Sequence, residues 1–459
     1  MHVPSQVFRE YDIRGIVGDD LTPDLVEAVG AAYAERLHSE RGAALPPPRV
    51  ALGWDNRPSS DALRNALARG LSRSGVEVLE LGTVPTPVSW WAEPTLGVEG
   101  ALQVTGSHNP AEWNGIKMTL LGRSLYGEDI QALRRWVEAA EWPDRPVALR
   151  LDTPVLDRYV EDLSSRFRLA RPVRVVVDCG NGTGSVVAER LLSAVGAEVI
   201  PLYCDSDGTF PNHHPDPTVD ENLADLIDQV RMHGAEVGIA FDGDADRIGV
   251  VDETGAVIRG DILVLLFGLD ILAKRGPGAL LLFDVKCSQV LPEIYTEAGG
   301  EAMMWKTGHS LMKEKMKETG ALLSGELSGH ICFADEYLGF DDALYAALRL
   351  LDQLSRNPEP LSRQVARFPQ FVSTPEIRID VPEERKLDIV RKAVEEFGAR
   401  YRVIEVDGAR ILFPGGWGLL RASNTQPVLV ARYEARTPEE LEQIRKEIEG
   451  WLRTQGIDG

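Results

Sequence analysis

The chain has 459 residues, of which 44% are hydrophobic and 26% charged; this composition excludes a single small module and a disordered chain, and at roughly 150 residues per domain it sets an expectation of about three domains. Lys plus Arg total 49 against 71 Asp plus Glu, a net charge of −22. That charge repels nucleic acid and anionic membrane surfaces, so neither is an expected partner.

From the amino terminus, MHVPSQVFREYDIRG carries no basic segment leading into an apolar core, and the longest apolar run, Ile262 to Leu269, is far short of a membrane span. The chain reads as cytoplasmic and unprocessed. Val50 to Gly53 predicts a strand leading to Asp55, Ser60 to Ser74 a helix stopped by Gly75, and Val76 to Leu81 a second strand. The frame recurs twice. Val173 to Val177 leads to Asp178, a helix over Ser185 to Val195, a stop at Gly196 and a strand at Glu198 to Leu202; Leu280 to Phe283 leads to Asp284, a helix over Ser288 to Ala298 and a strand at Glu301 to Trp305. Strand, helix and strand with short connections imply right-handed βαβ units and mainly parallel sheets.

The rhythm then changes. Ile377 to Val381 reads as a strand, Glu383 to Phe397 as a helix, and Arg402 to Val406 and Arg410 to Phe413 as a hairpin around Asp407-Gly408. Val428 to Tyr433 and a helix over Pro438 to Thr454 complete an antiparallel α+β domain. The expected domains are 1–150, 151–255, 256–367 and 368–459. Cys179, Cys204, Cys287 and Cys332 lie far apart without CxxC spacing, which reads as reduced, buried thiols rather than a disulfide framework or zinc site.

Several loops carry chemistry. Thr105-Gly106-Ser107-His108-Asn109-Pro110 follows the apolar Ala101 to Val104, so Ser107 sits at a strand end, where ligands collect in α/β sheets. The GxSxG nucleophile elbow is not matched. Asn114-Gly115-Ile116-Lys117 adds a cation nearby. Asp178-Cys179-Gly180-Asn181-Gly182-Thr183-Gly184 lacks the Walker lysine and the dinucleotide spacing, and reads as a structural strand-to-helix turn.

Asp242-Gly243-Asp244-Ala245-Asp246-Arg247 is the sharpest signal. Three alternating carboxylates in a tight turn suit a hard divalent cation, a solvated acidic turn being the plainer alternative. A calcium loop of EF-hand type fails because Arg247 stands where glycine is needed and strands flank the turn. A phosphatase using Asp242 as nucleophile remains open at this point. Lys306-Thr307-Gly308-His309-Ser310 and Gly325-Glu326-Leu327-Ser328-Gly329-His330 offer groups suited to sugar hydroxyls, with His330 able to move a proton near neutral pH. Arg421-Ala422-Ser423-Asn424-Thr425-Gln426-Pro427, between strands, suits a phosphate, a capping turn being the equal alternative for the segment alone.

Taken together, Tyr11-Asp12-Ile13-Arg14-Gly15, TGSHNP, DGDADR, GELSGH and RASNTQP, in this order along the whole chain, resemble the α-D-phosphohexomutases, most similarly the bacterial phosphomannomutase/phosphoglucomutase branch. The resemblance implies three similar, mixed and mainly parallel αβα sandwich domains plus a C-terminal antiparallel α+β domain around a central cleft. It implies an enzyme, an intramolecular phosphotransferase of the isomerase class. Its reaction would interconvert hexose 1-phosphate and hexose 6-phosphate, of mannose or glucose, through a phosphoserine and a hexose 1,6-bisphosphate. Ser107 would be that phosphoserine and, with Asp242, Asp244 and Asp246, would hold Mg²⁺. Arg14, Lys117, Arg247, His309 and His330 would serve the transfer, Lys117 and His330 moving protons. Tyr11, Lys286, Glu326, Ser328, Arg421, Ser423, Asn424 and Thr425 would bind the sugar phosphate. Gly106 and Gln426 depart from the commoner Ala and Glu, and Leu327 favours mannose or glucose phosphates over glucosamine phosphate. A phosphoglucosamine mutase and a non-catalytic sugar-phosphate binding protein are the alternatives.

Overall fold

The computed structural model describes residues 3–42, 46–140, 142–423 and 427–457. The chain forms two compact units, one of Met1–Leu263 with Ser328–Arg363, the other of Val264–Leu327 with Gln364–Gly459.

In the first unit, the expected opening βαβ frame is present as strand Arg49–Trp54, helix Ser60–Arg73 and strand Glu77–Thr83, the strands parallel. Strand Ala101–Val104 lies parallel on the other side of Arg49–Trp54. Two further strands, Trp113–Leu120 and Ile13–Ile16, extend the sheet antiparallel, which makes it mixed. Strand Arg49–Trp54 is buried at Val50, Ala51, Leu52 and Gly53, the continuous apolar burial of a sheet covered on both faces.

The second frame has strands Arg174–Asp178 and Glu198–Leu202 in parallel. Its helix is shorter than expected, because Thr183–Val186 winds as a 3₁₀ turn and only Ala188–Ala194 is α-helical. Strand Val237–Phe241 pairs parallel to Arg174–Asp178 and antiparallel to Ile248–Asp252, so the acidic motif is the turn of a hairpin, as its flanks suggest.

In the second unit, strands Leu280–Asp284, Glu301–Trp305 and Leu323–Gly325 are parallel, with helix Val290–Glu297 joining the first two. The C-terminal sheet is antiparallel and contains the expected hairpin, Arg402–Ile404 against Ala409–Phe413, with Gly408 at φ 92° supplying the left-handed residue such turns need. Between Ala409–Phe413 and Val428–Ala435 runs a strand the sequence reading lacks, Gly416–Ala422. Arg421 therefore sits on a strand rather than in the connecting loop. Helix Pro438–Thr454 begins as expected: Thr437 and Glu440 form a capping box, with Pro438 in the first turn. Among the described residues, no helix is long and apolar enough to cross a membrane.

Candidate active site

Ser107 lies just beyond the end of strand Ala101–Val104, with a φ of 51°. A left-handed serine costs on the order of 1 kcal/mol or more and persists only where its surroundings dictate it. Those surroundings begin at Asp55, which follows the neighbouring strand Arg49–Trp54. Its Oδ2 accepts from Thr105 Oγ1 at 2.8 Å and from Gly106 N at 3.1 Å, and Thr105 Oγ1 accepts from Ser107 N at 2.9 Å. Arg57 completes the cradle. Its Nε donates to Asp55 Oδ2 at 3.0 Å, and its guanidinium donates to the carbonyls of Ser107 at 2.7 Å, Asn109 at 2.6 Å and Trp113 at 3.1 Å, as well as to that of Pro110. Gly106 packs so closely on this group that a Cβ there would lie 2.6 Å from Arg57 Cζ and 2.8 Å from the Trp113 carbonyl oxygen.

The acidic hairpin turn meets the serine loop directly. A Cβ on Gly243 would fall 2.4 Å from the Ser107 carbonyl oxygen, so only glycine allows this approach. Ser107 Oγ donates to Asp242 Oδ2 at 3.2 Å. The other Asp242 oxygen accepts the amides of Asp246 and Arg247 at 3.1 and 3.2 Å, which curls the turn. Asp242, Asp244 and Asp246 are fully buried, and each offers one oxygen within 4.8 Å of the others.

Lys117, from strand Trp113–Leu120, reaches into the same cluster, its Nζ 2.7 Å from Asp244 Oδ2 and 2.5 Å from Asp246 Oδ2. Burial alone would lower its pKa, but the three carboxylates overturn this and raise it, so it is an ammonium here. Burial and the neighbouring carboxylates push Asp242 up. Asp246, despite its burial, is held down by Lys117, His330 and Arg247. Asp244 Oδ1 is buried without a hydrogen-bond partner, and Asp246 Oδ1 faces the His330 ring. Three buried carboxylates within reach of one another, one of their oxygens unsatisfied, are a fitting donor set for a divalent cation.

Arg247 follows the acidic turn and brings the Ser328–His330 segment to it. Ile248 N donates to the Gly329 carbonyl at 3.1 Å, and Arg247 Nε donates to His330 Nε2 at 3.3 Å. His330 Nε2 also faces Asp246 Oδ1 at 3.3 Å, and Nδ1 shares a hydrogen bond with Ser328 Oγ at 3.0 Å. His108 has its pKa lowered by burial and by the charges of Arg247, Arg14 and Lys117, so the loop adds a neutral imidazole beside several cations. Arg14, on strand Ile13–Ile16, is paired with Asp12, and Tyr11 precedes it half-buried. The first unit thus assembles Ser107, Lys117, Asp242, Asp244, Asp246, Arg247, Ser328 and His330.

The second unit holds the remaining described candidates. Lys286 Nζ donates to Glu376 Oε1 at 2.6 Å; burial lowers its pKa, and Glu376, Asp284 and Glu326 raise it further than that. Glu326 accepts from Gly308 N at 2.5 Å, immediately before helix His309–Thr319. Arg421 Nε donates to Asp407 Oδ2 at 3.0 Å, and the same oxygen accepts from Thr307 N at 3.1 Å. Ser423 O accepts from Lys386 Nζ at 2.7 Å. Asn424, Thr425 and Gln426 lie outside the described residues.

Sequence reasoning missed Arg57 and used Asp55 only to mark a strand end. The available signal was two opposite charges, two residues apart, directly after an apolar strand. It also took Asp407 as turn chemistry alone, although Asp407 ties Arg421 to the Thr307 loop.

Comparison with known proteins places the chain. Family models described as phosphoglucomutase/phosphomannomutase match residues 5–143, 157–255 and 259–371 as alpha/beta/alpha domains I, II and III, and residues 376–450 as the C-terminal domain. The chain belongs to the phosphoglucomutase/phosphomannomutase family. It is 46% identical over 444 residues to the phosphomannomutase/phosphoglucomutase of Pseudomonas aeruginosa, covering 96% of this chain and 94% of that one. It is 44% identical over 451 residues to the phosphoglucomutase of Neisseria gonorrhoeae, covering 96% of each. A crystal structure of a phosphoglucomutase/phosphomannomutase family protein from Burkholderia thailandensis superimposes with a TM-score of 0.91 at 40% identity, over 99% of this chain and 98% of that one. Within the phosphoglucomutase/phosphomannomutase fold, the buried serine beside an acidic metal-suited turn is what this chain offers to chemistry.

Proposed function

We propose that this protein is a phosphohexomutase that interconverts the 1-phosphate and 6-phosphate of mannose, glucose or both. The observation that carries the reading is Ser107 Oγ held 3.2 Å from Asp242 within a cluster of three buried carboxylates. Phosphorylated Ser107 transfers its phosphoryl group to a sugar hydroxyl: the bond from phosphorus to Ser107 Oγ breaks as the bond to the sugar oxygen forms. His330 takes the hydroxyl proton. The resulting hexose 1,6-bisphosphate reorients; Ser107 Oγ then bonds to its other phosphorus as the bond from that phosphorus to the sugar oxygen breaks, and His330 returns the proton to the freed oxygen. Mg²⁺, held by Asp242, Asp244, Asp246 and Ser107, would neutralise charge on the transferring group.

The chain's own cations do the rest. Arg247, Lys117 and Arg14 oppose the phosphoryl charge, and the Arg57 cradle fixes Ser107 in its left-handed conformation. In the second unit, Lys286, Glu326 and His309 recognise the sugar; Arg421 and Ser423, with Asn424 and Thr425, grip the phosphate that does not react. Tyr11 and Ser328 complete the binding set. The clamp of Asp407 on Arg421 supports that assignment. Four working domains, 1–150, 151–255, 256–367 and 368–459, fit the four family matches. Four free cysteines favour a cytoplasmic setting.

Phosphorus NMR tests the proposal. With Mg²⁺ and a trace of hexose 1,6-bisphosphate, mannose 1-phosphate or glucose 1-phosphate is expected to give the 6-phosphate, and the two rates rank the sugars. Release of inorganic phosphate alone, or full mutase turnover by Ser107→Ala, would overturn it.

A further inference from the structure

Cys179 and Cys204 are 25 positions apart in sequence, yet their Sγ atoms lie 3.3 Å apart and share a hydrogen bond. Each follows one of two parallel neighbouring strands, Arg174–Asp178 and Glu198–Leu202, and Cys179 N donates to the Leu202 carbonyl at 3.1 Å. Cys179 is buried and Cys204 is half-buried, so Cys204 is the more accessible residue of the two. A disulfide has its sulfurs about 2.05 Å apart, and closing the pair needs an approach of about 1.3 Å.

Both sides of this contact lead to the catalytic loops. On the Cys179 side, the turn continues through Asn181 to Thr183, whose N and Oγ1 both donate to the Gly243 carbonyl, at 2.9 and 3.1 Å. On the Cys204 side, the following loop donates from Asp207 N to the Asn181 carbonyl at 3.0 Å and presses Gly208 onto Asn56 and Arg57. Phe210 then lies under the Arg57 guanidinium, 4.9 Å from ring centroid to Cζ, and Arg57 holds Ser107. Movement at the two sulfurs therefore has short covalent and hydrogen-bonded routes to Gly243 and to Ser107.

We infer that Cys179 and Cys204 form a hydroperoxide-responsive dithiol, whose closure to a disulfide displaces the serine and metal loops and reversibly lowers turnover. The contact between the two sulfurs holds the Cys204 thiol below its ordinary range, and the same contact together with burial pushes Cys179 up. Cys204 is thus the sulfur that ionises and attacks. Its thiolate forms a bond to one peroxide oxygen as the O–O bond breaks; hydroxide leaves and takes up the thiol's proton as water. Cys179 Sγ then attacks the Cys204 sulfenic acid. The S–S bond forms, the S–O bond breaks, and the hydroxyl departs as water with the Cys179 proton. Two thiols are oxidised by two electrons in total, and one hydrogen peroxide is reduced to two waters.

Formation of the bond is independent of the mutase reading, whereas its effect on turnover rests on it. The test treats the full-length chain with stoichiometric hydrogen peroxide, blocks residual thiols by alkylation and maps the peptides by mass spectrometry. One crosslinked product joining Cys179 to Cys204, two hydrogens lighter than the separate peptides and released by dithiothreitol, is expected. Hydrogen exchange should rise across 105–110 and 242–247 on oxidation, and turnover should fall about tenfold, the scale on which disturbed support of metal ligands acts. Dithiothreitol should restore both. Cys204→Ser and Cys179→Ser should keep the starting turnover and lose the peroxide response, whereas Cys287→Ser should retain it. Failure of the untreated protein to turn over any sugar phosphate would reject the mutase reading and leave the peptide map decisive for the bond. Both cysteines unlinked after peroxide, or inactivation that persists in the two variants, would overturn the proposal.

Discussion

Removing Arg57 should destabilise the first unit more than removing any surface arginine, and the structure says by how much. Asp55 and Arg57 have side chains 2% and 0% exposed, and breaking such a pair from one side costs about 3–5 kcal/mol, because the remaining charge is stranded. The Ser107 carbonyl, buried and bonded to Arg57 at 2.7 Å, adds a desolvation cost of about 1–3 kcal/mol once orphaned. Arg57→Ala should therefore cost about 4–8 kcal/mol, a large share of the roughly 5–15 kcal/mol by which a domain is stable. Arg57→Lys keeps a charge beside Asp55 but lacks the planar fork that spans several carbonyls, so it should recover only part of the loss. Asp55→Asn combined with Arg57→Ala strands no charge and should be more stable than Arg57→Ala alone. Urea unfolding followed by tryptophan fluorescence measures all three, with hydrogen exchange over 105–115 locating the damage. Arg190→Ala, which removes a half-exposed partner of Asp157, is the control, with an expected effect below about 1 kcal/mol. If Arg57→Ala unfolds at the control's urea concentration, the cradle does not hold the serine loop.

Other perturbations read other parts of the molecule. Lys117→Met leaves Asp244 and Asp246 without their ammonium, so the metal-free protein should lose about 3–5 kcal/mol; Mg²⁺ should raise its melting temperature more than that of the parent chain in a calorimetric titration. His213 Nε2 lies 3.0 Å from Asp178 Oδ2; burial lowers its pKa, but the contact overturns this and raises it above 6.5. A raised histidine stabilises below its unfolded pKa and loses that contribution as pH rises through the folded value. The urea midpoint of the parent chain should thus fall relative to His213→Gln as pH climbs from about 6 to 8. Asp342, buried and bonded to Tyr159 and Tyr337, is pushed up to about 6 from 3.8, chiefly by burial. Its folded form keeps the proton that the unfolded chain gives up, so stability drops between those two pH values and stays lowered above them. Asp342→Asn should flatten that part of the stability profile.

How much of this was legible follows from what each feature depends on. The βαβ frames were readable because apolar strands, glycine stops and short connections are local, and strands Glu198–Leu202 and Glu301–Trp305 coincide with their expected limits. Strand Gly416–Ala422 was not, because three of its seven residues are glycine or alanine; its partners on both sides and the burial of Trp417, Leu419 and Leu420 make it a strand, not its own propensity. The same division runs through the site. Ser107 and the acidic triad carry their chemistry in their side chains and spacing, so they can be read from one segment each. Arg57 acts almost wholly on main-chain carbonyls some fifty positions away; a carbonyl has no letter in the sequence, and only the fold shows that four of them converge on one guanidinium. Cys179 and Cys204 became neighbours for the same kind of reason, since parallel pairing of two strands set their distance while sequence spacing argued against it. Groups whose partners are backbone, or whose proximity is created by strand pairing, stay hidden until topology is known. In this chain Arg57, such a group, braces the Ser107 loop, so perturbing it is the sharper test of how that loop is held.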